Sequence, residues 1–446
     1  MAPPENLCSQ RSASGHSGAL PRTLGLAGLW MLAVNGFIGA GIFGLPGGAA
    51  RLAGDYSLII YPLCALLMLP VILCFAEAAS YFKQSGGPAR YAEQAFGRFA
   101  GFQAGWLYYM ARVISFAANT VLLTDSIGFF WSGATEGLWR SLLLILICAL
   151  LVAINLLGTL GSMRSLALFT LAKFAVLLLI VVAGTLQYGP ALSEFSLQWQ
   201  GPQQQVDFGG ATLLLIYAFV GFESAVVPAG ESKKPGRHIP LALITGLIMV
   251  TVLYMLIQWV ALMALPDLAD STSPLLDTAE VLMGTTGAGL LMAGVLASVG
   301  GNLMGAMYST PRITFALSQQ GMLPVWFAGI SQRWQSPANS VLFFGLFTLL
   351  LALGGSFVWL AATTVLSRLL VFILTCLAIP RLRRSAEANQ GFRLPGGYLF
   401  PILGIGACLW LGWQVSLNSV LMTSSFFVLG SVLYWWAAKQ TGKHQP

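Results

Sequence analysis

The first long apolar stretch of the chain contains a run that a continuous helix accommodates poorly. Between residues 36 and 48, six of thirteen residues are glycine and one is proline. These two residue types disfavour a helix interior most strongly. An interrupted helix in a bilayer leaves backbone N–H and C=O groups unpaired, and this is tolerated only where the backbone lines a cavity or contacts a ligand. The run therefore predicts a helix break near Gly39, Ala40 and Gly41 that borders a cavity.

The composition assigns the chain to the membrane proteins. Of its 446 residues, 57% are hydrophobic and only 8% are charged, whereas about 25% of a soluble domain is charged. We therefore expect an all-α polytopic protein embedded in a lipid bilayer. The net charge of +7 is spread over many short loops, so no nucleic acid partner is expected.

Apolar stretches of about 20 residues, the length that crosses the hydrocarbon core, predict twelve transmembrane helices between residues 24 and 438. Most of the 22 Lys and Arg residues then fall on one side, which the positive-inside rule makes cytoplasmic. This predicts a multi-pass protein of the plasma (cytoplasmic or inner) membrane with both termini cytoplasmic. Residues 1–22 would form a cytosolic tail, because they lack the apolar core of a signal peptide.

A second interruption lies five predicted helices later, over residues 217–224. Because the offset of five helices is odd, the two interrupted helices run in opposite directions through the membrane. The pattern favours an inverted repeat of five plus five helices, with residues 23–190 as the first half and 207–380 as the second. Residues 381–446 would add two extra helices and a short cytosolic C-terminus to this ten-helix core of residues 23–380.

Paired breaks of this kind are the sequence pattern of a transporter's substrate site. The N-terminus of a half-helix offers free N–H donors and partial positive charge to a carboxylate, and the carbonyls at a C-terminus suit an ammonium group. The alternative is a glycine-rich face for close helix packing. The substrate-binding candidates are Phe37, Ile38, Gly39, Ala40, Gly41, Ile42, Tyr217, Ala218, Phe219, Val220, Gly221 and Phe222.

Several ionisable or polar residues fall deep within apolar segments, where such groups are costly and mark function by default. Glu223 and Lys173 are candidates for proton coupling, with Asn302 as a hydrogen-bonding neighbour. The alternatives are a structural carboxylate, a lysine that extends to the interface and a helix-packing amide. Arg112 and Arg368 add a surplus of positive charge, which indicates an anionic substrate, a carboxylate gate or pairing between helices.

Motifs along nearly the whole chain resemble the amino acid–polyamine–organocation (APC) transporter family. They are GAGIF at 39–43, GGPARY at 86–91, YAFVGFE at 217–223 with GESKKPGRHIP at 230–240, PR at 311–312 with GMLP at 321–324, and FRLPGG at 392–397. The resemblance implies the LeuT-type five-plus-five fold and amino acid transport by alternating access.

The resemblance also implies roles for individual residues. The α-carboxylate of the substrate would meet Ala40, Gly41 and Ile42, and its α-amino group would meet the carbonyls of Phe37, Ile38, Ala218 and Val220. Lys173 is typical of sodium-independent, proton-coupled members, and a carboxylate at the Glu223 position is linked to proton sensing in some. Two departures stand out: Ala40 lacks the hydroxyl of some relatives, and Arg112 is outside the common pattern.

We therefore expect a proton-coupled symporter of amino acids, with neutral or apolar substrates indicated by Phe37, Ile38, Tyr217, Phe219 and Phe222. An exchanger or exporter on the same fold is the alternative, and a non-transporting membrane sensor is a remote one. An enzyme is not expected, because the apolar segments contain no His, no HExxH and no Gly-x-Ser-x-Gly. Cofactors and metals are not expected either, and the choice between monomer and homodimer stays open.

Overall fold

The computed structural model describes residues 24–82, 87–156, 163–190, 206–228, 232–331, 336–384 and 391–442, with the side chains of 163–169 and 440–442 excepted. Within these ranges the regular elements are helices, as expected for an all-α protein. The predicted tail of residues 1–22 and the last residues of the C-terminus lie outside the described part.

The described part of the chain contains sixteen α-helices. In chain order they are α1 (Leu26–Phe37), α2 (Gly41–Ala53), α3 (Ser57–Tyr81), α4 (Gly87–Phe96), α5 (Arg98–Gly128), α6 (Gly137–Leu156), α7 (Met163–Tyr188), α8 (Phe208–Phe219), α9 (Glu223–Val226), α10 (Pro235–Ala264), α11 (Pro274–Ser309), α12 (Pro311–Gln319), α13 (Ala338–Gly354), α14 (Phe357–Leu382), α15 (Leu399–Trp413) and α16 (Leu417–Gly442).

Nine stretches of the described chain are long and apolar enough to cross a bilayer. Three further apolar helices, α1, α13 and α15, are shorter. The chain is therefore a polytopic helical membrane protein. The division into twelve spans, the inverted repeat and the side on which the termini lie stay predictions.

Both predicted interruptions are confirmed. The backbone leaves the helical path between Phe37 and Gly41, and again between Phe219 and Glu223. The first break is narrower than the glycine run, because the later glycines belong to α2 and serve packing instead. A Cβ atom on Gly44 would lie 2.5 Å from the Phe357 ring.

Helix α5 lies at the centre of the helix bundle, in contact with α4, α11, α13 and α14. By contrast, α6 and α16 expose large apolar side chains, among them Leu146, Leu150 and Trp435. Exposed apolar surface of this kind suits contact with lipid rather than water. The centre of the bundle is where the two broken helices meet α5, α7, α11 and α14.

Candidate functional site

A cavity of about 350 Å³ lies between the two helix breaks. Helices α5, α11 and α14 complete its wall. It is lined by Leu32, Asn35, Gly36, Phe37, Gly39, Ala40, Gly41, Arg112, Ser115, Phe116, Asn119, Tyr217, Val220, Gly221, Ser224, Gly301, Asn302, Gly305, Ala306, Ser309 and Arg368. Its position agrees with the expectation that broken helices border a cavity.

The two breaks touch through their backbones. A Cβ atom on Gly36 would lie 2.2 Å from the carbonyl oxygen of Gly221, and one on Gly221 would lie 2.2 Å from that of Gly36. Gly221 also has φ +110°, which favours glycine. A Cβ on Gly41 would lie 2.8 Å from Cα of Ala218. The N-terminus of α2 therefore lies directly beside the C-terminal end of α8.

At the first break, side chains of the protein already occupy the carbonyl end of α1. Lys173 is buried, and its Nζ donates to the carbonyl oxygens of Asn35 at 2.9 Å and Ile38 at 2.6 Å. The Tyr254 hydroxyl donates to the carbonyl of Phe37 at 2.8 Å. The carbonyls of Phe37 and Ile38, predicted to bind a substrate ammonium group, therefore have partners within the protein.

The N–H end of the same break is arranged differently. The first turn of α2 closes with Phe43 N–H donating to the Ala40 carbonyl at 3.1 Å. The N–H groups of Gly41 and Ile42 precede that bond, and the opening N–H groups of a helix have no partner within it. They are the donors that the sequence predicts for a carboxylate, and Gly41 lies on the cavity wall.

At the second break the protein supplies a carboxylate. Oε2 of Glu223 accepts from the Gly221 N–H at 2.7 Å, and Oε1 accepts from Nη1 of Arg368 at 2.6 Å. Both side chains are buried, with 0% and 3% of their surface exposed. The structure thus shows one of the predicted alternatives for these two residues, an ion pair between helices, here α9 and α14. The proton role predicted for Glu223 is not tested by this geometry.

Helix α5 presents a polar stripe to the site. Between residues 101 and 124 every side chain of α5 is buried except Tyr108, Arg112, Ser115 and Asn119. These four follow one another at spacings of four, three and four residues, which places them on one helix face. The Ser115 hydroxyl lies 3.2 Å from the hydroxyl of Tyr217, which joins the stripe to α8.

The predicted substrate residues divide into two groups. Lining the cavity are Phe37, Gly39, Ala40, Gly41, Tyr217, Val220 and Gly221. The others, Ile38, Ile42, Ala218, Phe219 and Phe222, are buried and do not line it.

Two of the aromatic side chains in the second group face the core for a clear packing reason. The Phe222 ring packs on Phe75 and Phe372, and the Phe219 ring packs on Tyr254. They therefore fill the core rather than cover a ligand, which removes part of the basis for a neutral or apolar substrate.

The three proton-coupling candidates also separate. Asn302 lines the cavity, with Nδ2 3.4 Å from the point that a Cβ on Gly39 would occupy. Asn302 does not take part in the hydrogen bonds of Lys173, whose Nζ donates to the carbonyls of Asn35 and Ile38 instead. Lys173 and Glu223 lie behind the cavity wall rather than on it.

Sequence reasoning missed several polar residues of the cavity wall. Asn35, Ser115, Asn119, Ser224 and Ser309 all line it. For Ser115 and Asn119 a signal was present, because polar residues at helical spacing within an apolar helix mark an inward face. Within the described ranges, no group of three His, Cys, Asp or Glu side chains lies close enough together to hold a metal ion.

Comparison with known proteins places this site in a family. The amino acid permease family model matches residues 24–438. The chain is 26% identical to a methylthioribose transporter of Bacillus subtilis (strain 168), covering 95% of each chain. It is 25% identical to the branched-chain amino acid permease BcaP of that strain, covering 97% of this chain and 96% of the relative. It is also 25% identical to the serine/threonine exchanger SteT of the same strain, covering 93% of this chain and 92% of the relative.

These relatives are permeases, exchangers and other transporters, and none of the three carries the name of an enzyme. The family match spans nearly all of the described chain and includes both broken helices, α5 and Lys173. The chain belongs to the amino acid permease family, within the APC superfamily.

Proposed function

We propose that this chain carries amino acids across the membrane by alternating access, as a sodium-independent symporter driven by protons. Twelve transmembrane helices in the five-plus-five inverted-repeat arrangement would form its body, with two extra helices after residue 380. It would lie in the plasma membrane with both termini cytoplasmic. One observation carries the proposal: beside a single cavity, one helix break offers N–H donors and the other offers carbonyl acceptors.

The breaks offer opposite charges side by side. The first break leaves the N–H group of Gly41 on the cavity wall, with that of Ile42 next to it in the first turn of α2, and this helix N-terminus suits a carboxylate. The second leaves the last carbonyls of α8, including that of Ala218, without a partner in the helix. Because Gly41 packs against Ala218, one zwitterion can reach both ends. We infer that the substrate ammonium group binds the Ala218 and Val220 carbonyls rather than those of Phe37 and Ile38.

Lys173 supplies the basis for sodium independence and proton coupling. Its ammonium group joins the carbonyls of Asn35 and Ile38 at the end of α1, where a cation bound from solution would otherwise be expected. If Lys173 loses its proton, the amine carries no charge and holds these carbonyls more weakly. Protonation would thereby couple to the position of α1. Glu223 and Asn302 would act with it, Glu223 through its bond to Gly221.

The side-chain class of the substrate is less constrained. Phe37, Phe116 and Tyr217 give the cavity an aromatic part, which supports the neutral or apolar amino acids expected from the sequence. Asn119, Ser309 and the two arginines give it a polar part. The branched-chain substrate named for one relative fits the first part, and the serine and threonine named for another fit the second.

An exchanger or exporter on the same fold is the second candidate, and the name of the serine/threonine exchanger favours it. A non-transporting sensor would share the fold and the cavity but would carry no flux. These readings differ in what drives movement of the substrate, so one assay separates them.

The decisive experiment is uptake by proteoliposomes containing the full-length protein. Each labelled amino acid is offered with and without an inward proton gradient, in sodium-free and sodium-containing buffer. Accumulation that requires the proton gradient and ignores sodium supports the symporter. Flux that appears only when amino acid is preloaded inside identifies an exchanger, and no flux for any amino acid contradicts transport.

A further inference from the structure

The cavity wall carries an imbalance of charge. Two guanidinium groups, those of Arg112 and Arg368, line it, and no carboxylate is among its lining residues in the described chain. Arg368 is balanced from behind by its ion pair with Glu223. The net charge presented to a ligand therefore comes from Arg112.

Arg112 has only neutral partners within the described ranges. Its Nε lies 3.4 Å from the hydroxyl oxygen of Thr310, and its Nη2 lies 3.3 Å from that of Ser309. The two ion pairs found in the described chain involve other arginines. Both contacts of Arg112 are longer than the usual hydrogen bond. A cation at membrane depth is costly unless it is paired or reaches water. The cavity gives Arg112 that access, and the weak contacts leave its guanidinium free to pair with an anionic ligand.

The position of Arg112 fits the side chain of a substrate rather than its α-carboxylate. The α-carboxylate has its own donors at the N-terminus of α2. Arg112 lines both the central cavity and an adjoining one of about 280 Å³, which Tyr108 and Ser224 also line. It therefore stands where the central cavity extends away from the breaks. A side chain that projects from a zwitterion held at Gly41 and Ala218 has this direction open to it.

The wall beside Arg112 leaves room for such a group. Gly301 and Gly305 of α11 both line the cavity, and no atom lies within 4 Å of the position that a Cβ on Gly305 would take. The hydroxyl of Ser309 is turned back onto the Gly305 carbonyl at 2.8 Å. Ser309 therefore lies at the guanidinium, and the glycines that precede it on α11 add no bulk to the same cavity wall.

We propose that Arg112 recognises an acidic group on the substrate side chain, so that the site takes amino acids with a second carboxylate. This inference rests on the proposed function, because it assumes that the α-carboxylate and ammonium groups bind at the breaks, and it replaces the neutral or apolar side-chain class by an acidic one. The planar guanidinium binds a carboxylate through two parallel hydrogen bonds, which gives geometric selectivity as well as charge. Arg112 is then the residue that sets substrate class.

The test compares isosteric ligands on the purified full-length protein by isothermal titration calorimetry. L-Glutamate and L-aspartate are titrated against L-glutamine and L-asparagine, with the parent, Arg112→Gln and Arg98→Gln. Arg98 lies on the same helix, outside the cavity, with a bond to the carbonyl of Gln320. Melting temperatures in detergent verify that all three proteins are folded.

The parent should bind glutamate about 10- to 100-fold more tightly than glutamine, the range expected for one charged hydrogen-bonded pair. In Arg112→Gln this preference should disappear through loss of glutamate affinity, with glutamine affinity nearly unchanged, and Arg98→Gln should match the parent. Equal binding of glutamate and glutamine by the parent would overturn the proposal. Equal weakening of both ligands by Arg112→Gln would also overturn it and assign Arg112 to the α-carboxylate.

Transport by the same proteins separates this inference from the proposed function. Uptake of neutral amino acids without recognition of acidic ones would refute the inference and leave transport standing. Selective binding of glutamate or aspartate without any flux would support the inference and refute transport. If no amino acid binds the folded protein, both are wrong.

Discussion

The two helix breaks border the same cavity, but the protein pairs each with a side chain of opposite charge. At the α1–α2 break a cation, Lys173, binds the carbonyl end. At the α8–α9 break an anion, Glu223, binds the N–H end, with Arg368 as its partner. Each break is therefore paired at one end with a charged side chain of the protein. The end left for a ligand is the N–H end at the first break and the carbonyl end at the second.

The difference explains how two similar interruptions make one site for a zwitterion. Gly41 packs against Ala218, so the N–H end of the first break lies beside the carbonyl end of the second, where Gly41 and Val220 line the cavity. Had both breaks been left fully open, several more polar groups would need partners in a low-dielectric environment, at several kcal/mol each. The internal charges thus confine the exposed backbone to the groups that a substrate can use.

The strongest test of the second break is removal of one member of its ion pair. Arg368→Met should destabilise the protein by about 3–5 kcal/mol, because it leaves the Glu223 carboxylate buried without its partner. The measurement is thermal unfolding in detergent. The double variant Glu223→Gln with Arg368→Met should melt at a higher temperature than Arg368→Met, since it buries no charge. Equal melting of the single variant and the parent would contradict the pairing.

The first break is tested by Lys173→Met, which keeps an unbranched side chain, one atom shorter, and removes its charge and its donors. Two buried carbonyls, of Asn35 and Ile38, lose their donor, at about 1–3 kcal/mol each. Accumulation driven by a proton gradient should be lost, and exchange of substrate across the membrane should persist. Lys439→Met, at an exposed site near the end of α16, serves as the control. Unchanged dependence on the gradient in Lys173→Met would remove the coupling role.

The contact between the breaks is tested by Gly41→Ala. The new methyl group would lie 2.8 Å from Cα of Ala218 and must push the two half-helices apart. Overpacking of this kind costs about 1–3 kcal/mol, so substrate affinity should fall about tenfold or more, as measured by calorimetry. Gly289→Ala, where no atom lies within 4 Å of the added group, should bind normally. Full affinity in a folded Gly41→Ala protein would show that the contact is not needed for binding.

A smaller effect is expected from Tyr254→Phe. The variant removes the hydroxyl that donates to the Phe37 carbonyl, but this oxygen keeps the N–H of Gly39 at 2.9 Å. One partner remains, so the loss should be about 1 kcal/mol in stability, with transport nearly intact. Melting and uptake measurements, beside the exposed control Tyr398→Phe, check both parts. Loss of transport would mean that the carbonyl end needs both donors.

The sequence predicted the breaks well because their cause is local. Glycine and proline disfavour a helix wherever they occur, and Gly39 and Gly221 do lie in the two interruptions. The depth of Lys173 was predictable for the same reason, since counting residues along a helix gives distance.

Pairings between distant residues were not predictable in this way. Lys173 binds a carbonyl 135 positions away, and Arg368 meets a carboxylate 145 positions away. Nothing in a single sequence states which of several buried cations meets the only carboxylate of α9. The ring contacts of Phe219 and Phe222 with Tyr254, Phe75 and Phe372 were likewise not predictable, because the direction of a side chain beside a break depends on the neighbouring helices.

The crossing of Gly36 and Gly221 also restricts how the gene can change. At most crowded positions, a larger residue on one helix can be compensated by a smaller one on its neighbour. Here the obstacle to a Cβ on either residue is the main-chain carbonyl of the other, and no substitution shortens a main chain. Each glycine codon is therefore fixed independently, and no second mutation in the opposite helix can rescue the first.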